Sequence, residues 1–204
     1  MQTLVSGGDL FAGDFASSLL SRPDGTASRG DGSFVPSAPS GVSAGGFFHV
    51  ECVDRDGVTR WVDDTHNVVV NGALDSILNV YLRAVAAITT WYLGLVDNAG
   101  FTAFAVGDTM ASHAGWVESQ DYTQATRNAW VPGASSGQTV TNGTTVDFSM
   151  NATKTIRGIF LNSANDKGGT TGTLFSTAAF SGGNQAVANG DTLKVTYTVS
   201  AASS

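Results

Sequence analysis

Between Thr192 and Val199 apolar and polar side chains alternate strictly. Leu193, Val195, Tyr197 and Val199 share one face, and Lys194, Thr196 and Thr198 the other. A period of two predicts a strand with one buried face. The same reading starting at Phe47 gives a hairpin: a strand over Phe47 to Val53, a turn at Asp54-Arg55-Asp56-Gly57 and a return strand over Val58 to Val62. Asp63-Asp64 is expected to break the run ahead of a third strand, Asn67 to Val70. The period then changes. Leu74, Ile77, Leu78, Tyr81, Leu82 and Val85 recur at helical spacing as one apolar stripe, with Asp75, Asn79 and Arg83 opposite. This predicts an amphipathic, buried helix, with Asn71 as N-cap and with Asp75 early and Arg83 late to suit its dipole.

Past Thr89 short apolar runs return between turn residues. Trp91 to Val96 reads as a buried strand closed by Asp97-Asn98-Ala99-Gly100. Residues 101–137 are irregular, with Trp116, Tyr122 and Trp130 as anchors. Further strands are expected at Gln138–Val140, Thr144–Met150, Thr155–Leu161, Thr173–Ala179 and Thr192–Val199, with turns at Asn142-Gly143, Lys167-Gly168-Gly169, Ser181-Gly182-Gly183 and Asn189-Gly190-Asp191. Many short strands, Gly-rich turns and one helix predict an α+β, mainly β fold: a sandwich- or barrel-like antiparallel domain over 46–204.

Residues 1–45 follow a different pattern. Three of the four prolines (Pro23, Pro36 and Pro39) fall here among Gly, Ser and Ala, a composition too poor in apolar area to fold alone. Yet Leu10, Phe11, Phe15, Leu19 and Leu20 recur at helical spacing behind Asp9, and Phe34-Val35 makes a second apolar spot. The segment reads as an extended docking arm, with Leu10, Phe11, Phe15, Leu19, Phe34 and Val35 as partner-binding anchors. Fully extended, such an arm reaches on the order of 150 Å.

Composition narrows the function classes. Charged residues make up 13% of the chain, against roughly 25% in a typical domain. The surface is therefore neutral and hydroxyl-rich, which suits packing against other subunits. A net charge of −7 argues against direct nucleic-acid contact, which needs clustered Lys and Arg. The single cysteine, Cys52, sits in an apolar strand and reads as a buried, inert thiol. The first residues lack the basic and apolar regions of a secretion signal. Ile77 to Val96, interrupted by Asn79 and Arg83, is not expected to span a membrane.

Candidate chemistry is sparse. Asp63-Asp64-Thr65-His66 resembles a metal or acid/base cluster in composition, but successive strand residues point to opposite faces. Ser112-His113 places a hydroxyl beside an imidazole without a nucleophile elbow, and reads as a loop fixed by Trp116. His49 reads as a core or edge histidine. Arg29-Gly30-Asp31 reads as a product of composition, and Asn142 and Asn151 as turn and strand residues despite their N-x-T context. No catalytic residue, metal or cofactor is expected.

Phe47-Phe48-His49-Val50-Glu51-Cys52 and the later Asp63-Asp64-Thr65-His66-Asn67-Val68-Val69-Val70-Asn71-Gly72 resemble a family of small structural proteins of tailed-bacteriophage virions. Similar likeness lies in Trp91 to Val96, Gly107 to Trp116 and Lys167 to Phe175. The resemblance covers residues 46–204 and leaves out the arm. By analogy with cement or decoration proteins it implies a non-enzymatic subunit on the capsid exterior. Such a subunit is made in the bacterial host cytoplasm, binds the major coat protein, often as a trimer, and braces contacts between capsomers. The alternatives are a tail or fibre component, such as an adaptor or a receptor- or glycan-binding head, and a virion-associated glycan-degrading enzyme. Exposed aromatics in 101–137 would favour receptor contact, buried ones scaffolding.

Overall fold

The computed structural model describes residues 41–203 and the backbone of two short strands, β1 (Ala27–Ser28) and β2 (Phe34–Val35), which pair antiparallel. β3 (Val42–Val53) starts ahead of the expected Phe47 and alternates as its sequence does: Phe48, Val50 and Cys52 are buried and His49 is exposed. The turn after it is built by Asp54, whose carboxylate accepts the amides of Asp56 and Val58 at 2.9 Å each. Gly57 closes it with φ of +81°, a left-handed conformation that glycine adopts without penalty.

β4 (Thr59–His66) corrects one expectation. It runs through Asp63-Asp64 unbroken, with Asp63 opposite Val50 and Asp64 opposite His49. A carboxylate is tolerated on the inward side because a neighbouring turn supplies donors to it. The third expected strand shrinks to β5 (Val68–Val69) before helix α1 (Asn71–Arg83).

The remaining strands are β6 (Trp91–Asp97), β7 (Glu118–Ser119), β8 (Asn128–Trp130), β9 (Thr139–Thr141), β10 (Val146–Ser149), β11 (Lys154–Asn162), β12 (Leu174–Ala179), β13 (Gln185–Val187) and β14 (Thr192–Ser203). They form two sheets in a sandwich-like, mainly β arrangement. The five-stranded sheet has the order β10-β14-β3-β4, with β9 also on β14. The seven-stranded sheet has the order β5-β12-β11-β6-β7, with β13 on β11 and β8 on β6. β7, β8 and β13 are too short to leave a periodic trace in the sequence.

One compact unit, Ala44–Ala202, holds two cores. The first lies between the sheets. Phe48, Val50, Phe148, Leu193, Val195 and Tyr197 come from one side, and Leu93, Leu95, Ile156, Ile159 and Leu161 from the other. The second lies on the outer face of the seven-stranded sheet, where Val96, Phe160 and Leu174 meet Val70, Ala73, Met110 and Trp116. With a core on each side, β6 and β11 are buried on both faces and read as apolar runs rather than as alternation. A bulge at Phe175 lets β12 serve both cores, since Leu161 pairs with Ser176 and Asn162 with Leu174. Gly94 lies opposite Phe160 because a methyl group there would stand 2.3 Å from the ring.

Candidate functional site

Helix α1 begins differently from its expected form. Its N-cap is Val70, which makes no side-chain cap, and Asn71 is already helical with its amide donating to the Val106 carbonyl at 2.8 Å. No acidic residue falls in the first turn, so Asp75 lies too late to serve the dipole; Arg83 does occupy the last turn. Ala84 ends the helix in the left-handed region, and the Val85 amide donates back to the Asn79 carbonyl at 3.2 Å. Val85 therefore stands just beyond the helix.

The larger correction concerns which side packs. Apart from Ile77, the predicted stripe does not face the core: Tyr81 is 83% and Leu82 77% exposed, and Leu74, Leu78 and Val85 are 40%, 55% and 50% exposed. The helix instead rests on the adjoining side, through buried Ala73 and half-buried Ser76, Ile77 and Val80. Ala73, with only a methyl group, lets the helix come down onto the second core. The bulkier apolar residues are left outside.

Beside this face lies a groove of about 510 Å³. Ile77, Val80 and Tyr81 of α1 form one wall, while Trp91, Phe175 and Val199 line it from the sheets. Its polar groups are hydroxyls, the Gln138 amide and the indoles of Trp91 and Trp130; among the described residues its lining includes no carboxylate, imidazole or ammonium. Stripe and groove share Ile77 and Tyr81 and make one continuous apolar surface. Such a surface can bury area against a partner; it offers no acid or base.

The charged and nucleophilic side chains are engaged elsewhere, in ties between loops. Arg127 is fully buried and grips Glu118 with two bonds, Nε to Oε1 at 3.0 Å and Nη2 to Oε2 at 2.7 Å. It also donates to the carbonyls of Ala164 (2.9 Å) and Gly169 (2.8 Å), pinning residues 164–169 onto β7 and β8. Lys167 adds bonds to the carbonyls of Tyr122 and Gln124 and lies over the Tyr122 ring. Nothing in the sequence marked Arg127 or Glu118, because a pair joined across loops has no period.

Asp63 turns inward and accepts from the amides of Ser181 (2.9 Å) and Gly182 (2.7 Å), the Ser181 hydroxyl and the Gln185 amide, fixing the turn between β12 and β13. Asp64 turns outward, 2.7 Å from His49 Nδ1, and His66 packs edge-on against Phe47. The Asp63-to-His66 cluster is thus split between faces, and no three His, Cys, Asp or Glu side chains converge as a metal site among the described residues. His113 stacks on Trp116 and bonds its carbonyl at 3.0 Å. Ser112, the neighbouring hydroxyl, belongs to a turn with Thr109.

Cys52 is buried next to Asp191, and burial, reinforced by that carboxylate, pushes the thiol up to about 12. Burial alone would raise Asp191 as well. The Ala188 amide at 2.8 Å and the Arg60 guanidinium outweigh it and hold the carboxyl below its ordinary range. Asp97 and Asp121 both hold Lys154, at 2.9 and 3.0 Å, and these bonds, Asp97 first, raise the ammonium. That pair of carboxylates is bridged by a cation rather than set across a cleft.

The aromatic anchors of 101–137 are buried. Trp116 packs on Phe104 and Phe160 and donates to Asp108 at 3.0 Å, Tyr122 meets Phe148, and Trp130 donates to the Asn142 side chain at 3.1 Å. Asn142 also accepts the Tyr197 amide and donates to the Thr144 and Val195 carbonyls, so it is a buried brace of β14. Of the expected arm anchors, Leu10, Phe11, Phe15 and Leu19 lie outside the described residues, as does Arg29-Gly30-Asp31. Phe34 and Val35 form the backbone of β2. No helix among the described residues is long and apolar enough to cross a membrane. No protein-family model matches the chain, and no curated protein matches it.

Proposed function

We propose that this chain is a non-enzymatic structural protein of a tailed-bacteriophage virion, a cement or decoration subunit that binds the major coat protein on the capsid exterior. The observation that carries the reading is the uncovered apolar face of α1 and its groove, on a domain whose buried charges are spent on internal ties. Apolar area at that scale suits association, and a surface low in charge suits packing into a lattice. Burial of Trp116 and Trp130 favours scaffolding over a receptor- or glycan-binding head. Asp97 and Asp121, clamped on Lys154, do not favour the glycan-degrading alternative.

Such a subunit stabilises a shell by mass action, because it adds binding free energy only to the assembled state. A second contact through residues 1–45 becomes effectively intramolecular and raises avidity. The test is co-sedimentation with coat shells, using the full chain and a variant lacking residues 1–45. The expected outcome is saturable binding in fixed ratio to coat protein, weakened by the truncation. Unchanged binding would sink the arm's role. No binding to shells, with only a few copies per particle, would assign the chain to the tail.

A further inference from the structure

We propose that the exposed face of α1 is an interface with a second copy of this chain. Leu74, Leu78 and Tyr81 are spaced by four and three residues, as in the heptad seam by which like helices pack knobs into holes, and Val85 extends the apolar face just past the helix end. Leu82 widens the seam on one side and Ile77 joins it to the groove on the other. A seam of this kind is self-complementary: each copy supplies both knob and hole, so a symmetry axis beside the helix satisfies both.

Area and charge point the same way. At their fractional exposures the five side chains hold on the order of 600 Å² of accessible surface, most of the roughly 800 Å² that one partner gives to a standard interface. That is the upper end of the roughly 300–600 Å² found for the largest patch on a monomer. Each copy carries a net charge of −7, so two copies meet most easily where neither presents charge. The seam itself carries none: Asn79 and Arg83 lie away from it, where Arg83 bonds Asn79 at 2.9 Å, and Asp75 stands only at its border, on the Leu82 side. The helix itself is held to the domain by Ala73, Ile77 and Val80, so the seam can be altered without uprooting it.

Self-association stands apart from shell binding. Failure on shells with intact association would sink only the virion reading. The decisive measurement is sedimentation equilibrium of the full chain across the micromolar range. The expected mass is a multiple of 20.9 kDa. Leu78→Glu and Leu82→Glu should each raise the dissociation constant at least about tenfold, with an unchanged unfolding midpoint when measured at concentrations dilute enough to dissociate the wild type, because both side chains are exposed in the protomer. Cysteine cross-linking then places the axis. Cys52 is buried and protonated, so the wild-type background stays silent. Leu78→Cys should form a disulfide-linked dimer under mild oxidation with a copper–phenanthroline catalyst, and Arg83→Cys, on the far side of the helix, should not. A monomeric wild type would overturn the proposal, as would equal cross-linking at both positions. So would a wild type that stays monomeric while the Leu78 and Leu82 variants lose shell binding, which would give the face to coat protein.

Discussion

Replacing Arg127 by Met removes four hydrogen bonds at one point and leaves their partners inside the protein. Met fills the space of the aliphatic stem, so the loss is chiefly electrostatic. The Glu118 side chain is 5% exposed, and without the guanidinium it becomes a buried carboxylate whose remaining donor is the Gly168 amide. Breaking a buried pair in this way costs about 3–5 kcal/mol, to which the Gly169 carbonyl adds by losing its Arg127 donor, while the Ala164 carbonyl keeps the Asn162 amide at 3.3 Å. Against a total stability of about 5–15 kcal/mol this is a large fraction. It corresponds to a fall in Tm of roughly 10 °C for a domain of this size. Urea unfolding followed by the fluorescence of buried Trp116 and Trp130 measures it, and the slope against denaturant should stay constant. Glu118→Gln in the Arg127→Met background should recover part of the loss, because a neutral amide still accepts from Gly168. A single-variant loss below about 1 kcal/mol, or strict additivity of the two changes, would refute the staple.

Two further outcomes are expected. The folded pKa of Asp191 lies below the ordinary carboxylate range, so its stabilisation is complete above the unfolded pKa and is lost as pH falls through the folded one. Asp191→Asn should therefore flatten the acid limb of stability below about pH 4, and an unchanged limb in pH-dependent urea melts would reject the assignment. Gly94→Ala drives a methyl group into the fully buried Phe160 ring, which Trp116 backs, and should destabilise by about 1–3 kcal/mol. In a Phe160→Leu background the same change should cost measurably less, and equal costs in thermal melts would place the strain elsewhere.

Much of the sheet architecture was legible because burial writes itself into period. β14 alternates since only one of its faces meets a core, and the Phe47-to-Val62 hairpin follows from alternation and one left-handed glycine. The facing of α1 was not legible. Periodicity gave one stripe, Leu74-Ile77-Leu78-Tyr81-Leu82-Val85, whereas in the fold Ile77 packs beside Ala73 and Val80 and the rest of the stripe stays exposed. The small residue decided it, since Ala73 allows the closer approach. Asp63 looked like a breaker because its donors arrive from residues 181–185, far along the chain. The uncovered face was thus spelled out as a stripe, while its exposure emerged only in three dimensions.

Asp63 also shapes how copies of this protein can meet. β4 is an outer strand of the five-stranded sheet, the kind of position where one chain recruits the backbone of another. A carboxylate turned inward from that strand, already occupied by four donors of the β12–β13 turn, makes strand addition there expensive. Arg60 and Asp64 place further charge along the same strand. Contact is thereby steered away from backbone templating, which propagates, and toward side-chain surfaces; the interface proposed on α1 is of that kind, and association through it would close on itself and stay reversible.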